Sequence, residues 1–407
     1  MTIPLPADLC LQPPPAGLAA PLAAFAGCWL GRWGAALPHL LAVERIDADG
    51  SVQAVYGLGD APDGHIRRQW LRLRGRIGSD GLLVFRSSAV SIRYRMDASG
   101  RLEGSYQRGQ VSDHGWLQPV AADRLPDLLA ALPPYRPLAG ETLLIPSRVR
   151  DAGLGRPANL AATLFRPPPV ATAGDAAVPV PLVVFSHGST GPGAVPPRQM
   201  LRYELQARYF LARGFAFLAP MRRGRGASEG EYVEGYDRDP LKLAEGLQHA
   251  LDDLDAVVTF MRAQPGIDGR RIVVAGQSRG GLLGVAYAGR RPPGVVGSIS
   301  FAGGWIGDPG GIPLETVGGS DFNRDVFVQA GSSGQAVPSL WLYAANDSYY
   351  SPAAIRRWQD GYAAGGGAAQ LYLFPPLAEA DGHRLLDYPD LWESAADAFL
   401  HQIGFSW

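Results

Sequence analysis

One ten-residue segment constrains the fold of this chain more than any other. Residues 272–281 read Ile-Val-Val-Ala-Gly-Gln-Ser-Arg-Gly-Gly. The four apolar residues have the length and β-branched character of a buried strand, and a turn bounded by two glycines follows them. Residues 281–289 then have the composition of a helix. A strand that turns this sharply into a helix predicts a parallel sheet covered by helices.

The same alternation of apolar runs and helical patterns continues from about Glu141 to the end of the chain. The predicted strands are Thr142–Val149, Ala161–Arg166, Leu182–Phe185, Phe215–Ala219, Arg271–Ala275, Val295–Phe301, Ser339–Tyr343 and Gln370–Phe374. The predicted helices are Leu201–Arg213, Lys242–Arg262, Gly281–Gly289, Pro352–Gly361 and Leu391–Ile403. This order predicts an α/β fold with a doubly wound, mostly parallel sheet that opens with an antiparallel pair.

The N-terminal part of the chain has a different pattern, in which apolar and polar residues alternate with a period of two. Leu71, Leu73 and Ile77 alternate with arginines, and Asp-Gly or Ser-Gly turn signals separate successive runs. This spacing predicts about six antiparallel strands in a small sandwich or barrel. The run Gly-Cys-Trp-Leu-Gly-Arg-Trp at residues 27–33 resembles the start of lipocalin-like barrels.

Composition changes along the chain set the expected domain boundaries. We expect an irregular proline- and alanine-rich arm over residues 1–24, an antiparallel β-rich domain over 25–125, a proline-containing linker over 126–140 and the α/β domain over 141–407.

Overall composition excludes several classes of protein. The formal net charge is −1 and the arginines are scattered, so no nucleic-acid partner is expected. No apolar run is long enough for a membrane span, and no basic segment precedes the apolar stretch Gly17–Leu30, which is therefore not interpreted as a signal peptide. We expect a soluble protein, periplasmic or secreted if a signal peptide was removed and cytoplasmic otherwise. The oligomeric state is left open.

The two cysteines, Cys10 and Cys28, are too few for a disulfide scaffold and have no metal-ligand spacing, so no metal site is predicted. A disulfide between them and a pair of free thiols are equally compatible with the sequence.

Ser278, in the Gly-x-Ser-x-Gly turn of the opening segment, is the candidate nucleophile. A serine at such a turn exposes its hydroxyl at the end of a sheet, and the following helix N-terminus favours a developing negative charge. The alternative is a purely structural turn.

A second loop follows the predicted strand Leu182–Phe185 and reads Ser-His-Gly-Ser-Thr-Gly at residues 186–191. In folds with a nucleophile turn of this kind, one oxyanion donor is the backbone N–H after the nucleophile and the other comes from such a loop. We assign the oxyanion hole to Arg279 and Ser189, with Gly188 and Thr190 as alternatives to Ser189. His187 is expected to shape this loop.

The candidate acid is Asp347, which follows the predicted strand Ser339–Tyr343 and can fix a histidine tautomer. A solvated Asn-Asp turn is the alternative interpretation, and Asp321 and Asp325 are rival acids without a strand to position them. The candidate base is His383, the histidine that completes the order Ser, Asp, His. Asp381 beside it is expected to shape the loop.

Together these motifs resemble the α/β-hydrolase superfamily, most closely its dienelactone hydrolase-like and prolyl-oligopeptidase-like serine hydrolases. The resemblance covers about residues 141–407 and includes the loop Met-Arg-Arg-Gly-Arg-Gly-Ala-Ser-Glu-Gly at residues 221–230. Dienelactone hydrolases use a cysteine nucleophile, and this chain has a serine. The resemblance therefore implies ester or amide cleavage without a cofactor, and it leaves lactone specificity open.

Three aromatic residues flank the candidate site, namely Trp305, Tyr349 and Tyr350, and they line a substrate pocket or belong to the core. The glycine-rich segment 303–334 is a lid or a surface excursion.

Three functions follow from these observations. The first is a carboxylic-ester hydrolase with a small-molecule substrate. The second is an oligopeptidase-like serine peptidase for short peptides, although residues 25–120 are too few for the β-propeller that such enzymes carry. The third is a non-catalytic ligand-binding protein built on a hydrolase fold.

Overall fold

The computed structural model describes residues 3–34, 37–60, 66–97, 99–108, 111–131, 138–168, 178–191, 195, 199–235, 239–307, 321–332, 337–377 and 381–407. It divides into two compact units, Met1–Pro137 and Leu138–Leu377 with Asp381–Trp407. The predicted linker lies partly outside the described residues, because 132–137 are not among them.

In the first unit, the described residues form a closed antiparallel barrel of eight strands in sequential order. The strands are β1 (Gly27–Trp33), β2 (Leu37–Ile46), β3 (Ser51–Leu58), β4 (Gln69–Ile77), β5 (Leu82–Arg86), β6 (Ser91–Met96), β7 (Leu102–Arg108) and β8 (Val111–Val120). β1 pairs with β8 and closes the barrel. The prediction of an antiparallel sandwich or barrel is confirmed in its barrel form, with eight strands where the sequence indicated about six.

The barrel interior is filled by the alternating apolar side chains. Trp33, Tyr56, Tyr94 and Leu117 are among its buried residues. Leu71 departs from the predicted pattern, since 49% of it is exposed. Among the described residues, β5 pairs only with the Gly75–Ile77 end of β4, so the start of β4 is not paired with β5.

Two short helices accompany the barrel, α1 (Ala20–Ala23) and α2 (Leu125–Ala131), and a 3₁₀ turn covers Ala122–Arg124. Leu125 and Leu129 of α2 pack with Leu40 and Val55 on the outer barrel face. β2 and β3 are therefore buried on both faces, which explains their nearly continuous apolar sequences.

The barrel interior also holds a histidine. The His39 ring is fully buried, with Nδ1 2.9 Å from the Gly57 carbonyl oxygen and Nε2 2.7 Å from the Tyr94 hydroxyl. Burial lowers the pKa of His39 to about 3. The histidine is therefore neutral at physiological pH.

Both cysteines belong to this unit and are free thiols. Cys10 is exposed and Cys28 is buried, and burial raises the pKa of Cys28 to about 11. The free-thiol alternative is the one that the structure contains.

The second unit is built on an eight-stranded sheet of order β16-β15-β14-β13-β11-β12-β10-β9. Its strands are β9 (Glu141–Arg150), β10 (Pro157–Phe165), β11 (Val180–Ser186), β12 (Ala216–Pro220), β13 (Ile267–Gln277), β14 (Val295–Phe301), β15 (Ser339–Ala344) and β16 (Ala369–Phe374). β10 pairs antiparallel with β9 and β12, and the pairs from β12 through β16 are parallel. The predicted mixed, doubly wound sheet is confirmed.

Helices cover both faces of this sheet. They are α3 (Glu204–Leu211), α4 (Pro240–Arg262), α5 (Arg279–Gly289), α6 (Phe322–Gly331), α7 (Pro352–Ala364) and α8 (Pro389–Gln402), with a 3₁₀ turn at Gly382–Asp387. One core cluster joins the sheet to α4, α5, α6 and α7, and a second joins its other face to α3 and α8. Among the helices of the described residues, none has the length and apolarity to cross a membrane.

The segment 303–334 contains a helix, α6, that the sequence prediction did not include. Phe322, Val326 and Phe327 of this helix are buried in the core. Residues 308–320 and 333–334 of the expected lid lie outside the described residues.

Candidate active site

Ser278 lies at the sharp turn between β13 and α5. Its backbone has φ 54° and ψ −121°, a conformation that side-chain-bearing residues rarely adopt. Its N–H donates to the Phe301 carbonyl at 2.9 Å, and its own carbonyl accepts from the Gly304 N–H at 3.1 Å. The turn is therefore held from both sides in the strained form that presents a serine hydroxyl at the sheet edge.

The two glycines of the motif are required by close backbone approach. A Cβ atom at Gly276 would lie 2.5 Å from the Gly280 carbonyl oxygen, and one at Gly280 would lie 2.0 Å from the Ser186 carbonyl oxygen. The helix after Ser278 thus packs directly against the ends of β11 and β13. Any side chain at either glycine would push these elements apart.

Asp347 lies in the loop after β15, and its side chain is fully buried. Its Oδ1 accepts hydrogen bonds from the backbone N–H groups of Tyr349, at 2.8 Å, and Tyr350, at 3.1 Å. Its Oδ2 is 3.0 Å from His383 Nδ1. The carboxylate therefore has the partners that a buried charge needs, and one of them is the candidate base.

His383 lies in the 3₁₀ turn after β16. Its carbonyl accepts from Gln277 Nε2 at 3.3 Å, so the histidine loop is joined to the residue that precedes Ser278. Its imidazole contacts the Tyr349 ring at a centroid distance of 4.4 Å and the Tyr350 ring at 5.5 Å. Asp347 at Nδ1 favours the tautomer whose Nε2 is free to accept a proton.

The structure brings Asp347 and His383 into direct contact, but no hydrogen bond joins His383 to the Ser278 hydroxyl among the described contacts. The Tyr350 side chain interacts with Ser278 through its hydroxyl. Burial raises the pKa of Tyr350, while Ser278 and Arg279 oppose that rise. A neutral phenol therefore lies beside the serine.

The loop after β11 lies against Ser278 on another side. A Cβ atom at Gly188 would be 3.3 Å from the Ser278 Cβ atom. His187 Nδ1 is 2.7 Å from the Gly188 carbonyl oxygen, and its Nε2 is 3.1 Å from the backbone nitrogen of Arg222. Burial, and then the Arg222 charge, lower the pKa of His187 well below its usual value. His187 is thus a neutral side chain that fixes the loop.

The two candidate oxyanion donors lie at this junction. Arg279 is the first residue of α5, where backbone N–H groups have no partner within the helix. Ser189 follows Gly188 in the loop after β11, and its Oγ accepts from the Gly191 N–H at 3.3 Å.

The sheet order, the strained serine turn and the Asp–His pair agree with a family match. Residues 179–314 match the family model described as serine aminopeptidase, S33. The second unit has an α/β-hydrolase-like fold, and it is called the hydrolase domain below. No curated protein matches the sequence.

Solved structures with similarity to this chain include esterases and a peptidase. An esterase from Pyrococcus furiosus is 14% identical with a TM-score of 0.46, covering 67% of this chain and 95% of its own. A Klebsiella pneumoniae protein assigned as a dienelactone hydrolase is 20% identical with a TM-score of 0.42, covering 66% of this chain and 98% of its own. Dipeptidyl peptidase 4 from Porphyromonas gingivalis is 17% identical with a TM-score of 0.46, covering 89% of this chain and 50% of its own.

The three aromatic residues predicted for the substrate pocket occupy different environments in the hydrolase domain. Tyr349 is 38% exposed, whereas Tyr350 and Trp305 are buried. The Trp305 carbonyl accepts from Arg279 Nε at 2.8 Å. Their role in substrate binding stays a prediction, for which Tyr349 has the most accessible ring.

The rival acids have structural roles of their own. Asp321 caps α6 by accepting from the Arg324 N–H at 3.0 Å, and it accepts from Trp358 Nε1 at 2.8 Å. Asp325 is exposed on the surface of α6 and pairs with Arg324. Neither residue contacts His383 in the structure.

Two residues that hold the acid and base loops together complete the site. Asp381 accepts from the backbone N–H groups of His383 and Ser348, each at 2.9 Å, which agrees with the expected loop-shaping role. Asn346 was not predicted. Its side-chain amide donates to the Leu377 carbonyl at 2.9 Å and accepts from the Leu377 N–H at 2.8 Å. The position of Asn346 directly before the candidate acid was the sequence feature that could have indicated this role.

Within the described ranges, no group of three or more His, Cys, Asp or Glu side chains has a geometry that could hold a metal ion.

Proposed function

We propose that this chain is a serine hydrolase that cleaves carboxylic esters through an acyl-enzyme on Ser278. The observation that carries the proposal is the hydrogen-bonded Asp347–His383 pair beside a serine in the strained turn conformation. Asp347 orients the imidazole and stabilises its protonated form, and His383 acts as general base and then general acid.

In the first half of the reaction, Ser278 Oγ attacks the ester carbonyl while His383 Nε2 takes the hydroxyl proton. The bond to the leaving alcohol then breaks, and the imidazolium returns that proton to the alcohol. In the second half, His383 Nε2 takes a proton from a water molecule, whose oxygen attacks the acyl carbonyl. The bond between the acyl carbon and Ser278 Oγ then breaks, the imidazolium returns the proton to Ser278 Oγ, and the acid leaves. Side chains and water account for every proton in this sequence.

The negative oxygen of each tetrahedral intermediate rests on the backbone N–H groups of Arg279 and Ser189. One such donor contributes about 3–4 kcal/mol to the transition state. The position of Arg279 at the start of α5 adds the positive end of the helix dipole.

The proposal requires Ser278 and His383 to come within hydrogen-bonding reach during the reaction. Hydrogen bonds between catalytic groups are often long in free enzymes and shorten when substrate binds.

The name of the matching family supports a second candidate, a serine peptidase acting on short peptides. The same acyl-enzyme chemistry applies, with an amine as leaving group. Rates on p-nitrophenyl acyl esters and on aminoacyl p-nitroanilides separate the two. An ester hydrolase is expected to prefer the esters far beyond their intrinsic reactivity, and a peptidase to cleave the anilides at a comparable rate.

A Ser278→Ala variant tests the catalytic proposal itself. It removes only the hydroxyl oxygen, so the variant is expected to fold, to lose ester cleavage and to lose labelling by a fluorophosphonate. A wild-type protein that neither cleaves esters or anilides nor reacts with the fluorophosphonate would instead indicate a ligand-binding protein on a hydrolase fold.

A further inference from the structure

A buried carboxylate, Glu234, interacts with two arginines that hold the proposed oxyanion donors. Glu234 is 3% exposed, and its Oε1 is the acceptor for Arg222 Nε. Its Oε2 is 3.6 Å from Arg279 Nη1. The Tyr232 hydroxyl also donates to Oε2 at 3.3 Å. One carboxylate thus joins two arginines that belong to different parts of the hydrolase domain.

The first arginine, Arg222, holds the loop after β11. Its Nη1 donates to the His187 carbonyl and its Nη2 donates to the Gly188 carbonyl at 3.0 Å. In a trans peptide the carbonyl and the next N–H point in opposite directions. Fixing the Gly188 carbonyl towards Arg222 therefore fixes the Ser189 N–H on the opposite side of the loop.

The second arginine, Arg279, follows the nucleophile directly. Besides its bond to Trp305, its Nη1 donates to the Glu234 carbonyl at 3.2 Å and its Nη2 donates to the Gly235 carbonyl at 2.8 Å. These contacts anchor the first residue of α5, whose backbone N–H is the other proposed donor.

We propose that Glu234 is a positioning residue for the oxyanion hole, which acts through Arg222 on the Ser189 donor and through Arg279 on the donor after the nucleophile. This inference rests on the proposed function. It assigns to one buried residue the alignment of two backbone donors that lie far apart in sequence.

The test compares Glu234→Gln with Glu229→Gln. Glu229 belongs to the same loop, and its half-exposed carboxylate pairs with Arg156 at 2.8 Å and accepts from the Asn159 N–H at 2.9 Å. Each variant is assayed on a p-nitrophenyl ester, and the inhibition constant of a trifluoromethyl ketone is measured. The ketone forms a tetrahedral adduct with the serine, so its affinity reports the oxyanion hole rather than substrate binding.

For Glu234→Gln we expect kcat to fall about 10- to 100-fold with KM within about threefold of wild type. The inhibition constant of the ketone should rise in proportion to the loss in kcat/KM. Glu229→Gln should leave all three values within about threefold of wild type.

Glu234→Asp keeps the charge and shortens the side chain by one methylene, so its kcat should lie between those of wild type and Glu234→Gln. It also decides the question if Glu234→Gln does not fold. A Glu234 variant that folds and matches Glu229→Gln, or that loses kcat with unchanged ketone affinity, overturns the inference.

The wild-type and Ser278→Ala rates in the same series separate the two proposals. If wild type cleaves and Ser278→Ala does not, normal behaviour of the Glu234 variants refutes only the positioning role. If wild type neither cleaves nor reacts with the ketone, both proposals fail.

Discussion

The contact between Asp347 and His383 allows the effect of Asp347→Asn to be worked out from the structure. The proposed mechanism creates a positive imidazolium 3.0 Å from the Asp347 carboxylate oxygen. At an effective dielectric constant of about 20, this charge pair is worth about 5 kcal/mol. Asparagine removes that attraction while its carbonyl oxygen can still accept from the Tyr349 and Tyr350 N–H groups. Its NH₂ group favours the wrong histidine tautomer.

Because each 1.36 kcal/mol changes a rate about tenfold, kcat of Asp347→Asn should fall roughly 10³- to 10⁴-fold with little change in KM. The assay is release of p-nitrophenol from an acyl ester, with the unfolding midpoint as a check on structure. Asp325→Asn is the matched control, since this rival acid is exposed and pairs only with Arg324 among its described ion pairs. A loss of less than about tenfold at Asp347, or an equal loss at Asp325, would refute the assignment.

Three further predictions concern the serine hydroxyl, the serine turn and the barrel. Tyr350→Phe removes the hydroxyl that interacts with Ser278 and should lower kcat about tenfold. Tyr349→Phe keeps the aromatic ring that contacts His383, so it should change kcat less than about threefold. Gly280→Ala should destabilise the hydrolase domain by about 3 kcal/mol or prevent folding, because its Cβ would lie 2.0 Å from the Ser186 carbonyl oxygen. Gly284→Ala in the same helix is the control, because the nearest atom to its Cβ would be 3.7 Å away. Denaturant titrations should show a nearly unchanged free energy of unfolding for Gly284→Ala. The pKa of His39 is about 3 in the folded barrel, against 6.5 for an unperturbed histidine in the unfolded chain. Between these two pKa values the unfolded chain binds a proton that the folded barrel does not, so the free energy of unfolding falls as pH drops from 6.5 towards 3. From pH 7 to pH 5 the wild-type protein should lose about 2 kcal/mol of unfolding free energy more than the His39→Gln variant. An equal pH dependence of unfolding in wild type and variant would contradict this prediction.

Local sequence patterns were sufficient to predict the sheet of the hydrolase domain. All eight of its strands were predicted, because buried parallel strands are continuous apolar runs with helical patterns between them. The helix α6 was missed since the glycines on either side of it dominated the segment. Its Asp321 cap and the spacing of Phe322, Val326 and Ala330 were the signals that indicate a helix.

The barrel was harder to predict in detail. Alternation marked the individual strands, but closure depends on the pairing of β1 with β8, which lie at opposite ends of the unit's sequence. The exposure of Leu71 likewise depends on how far β5 extends along β4, and no local pattern encodes that length.

At the candidate site, order along the chain predicted which side chains would lie near each other, since parallel strands end at one edge of the sheet. The supporting contacts could not be predicted from residue types and spacing. Glu234 accepts from Arg222, which donates to the Gly188 carbonyl. The Tyr350 N–H donates to Asp347, which organises the loop that carries Tyr350. Such contacts depend on loop conformation rather than on residue type.

The most direct test of the account is the site of reaction with a fluorophosphonate. The protein is labelled until ester cleavage stops, digested with trypsin and analysed by mass spectrometry, in which the serine of interest lies in the peptide 272–279. The account predicts one adduct per chain, on Ser278, formed in proportion to the loss of activity and much more slowly in the Asp347→Asn variant. Complete inhibition with the adduct on another residue, or full activity with Ser278 labelled, would contradict it.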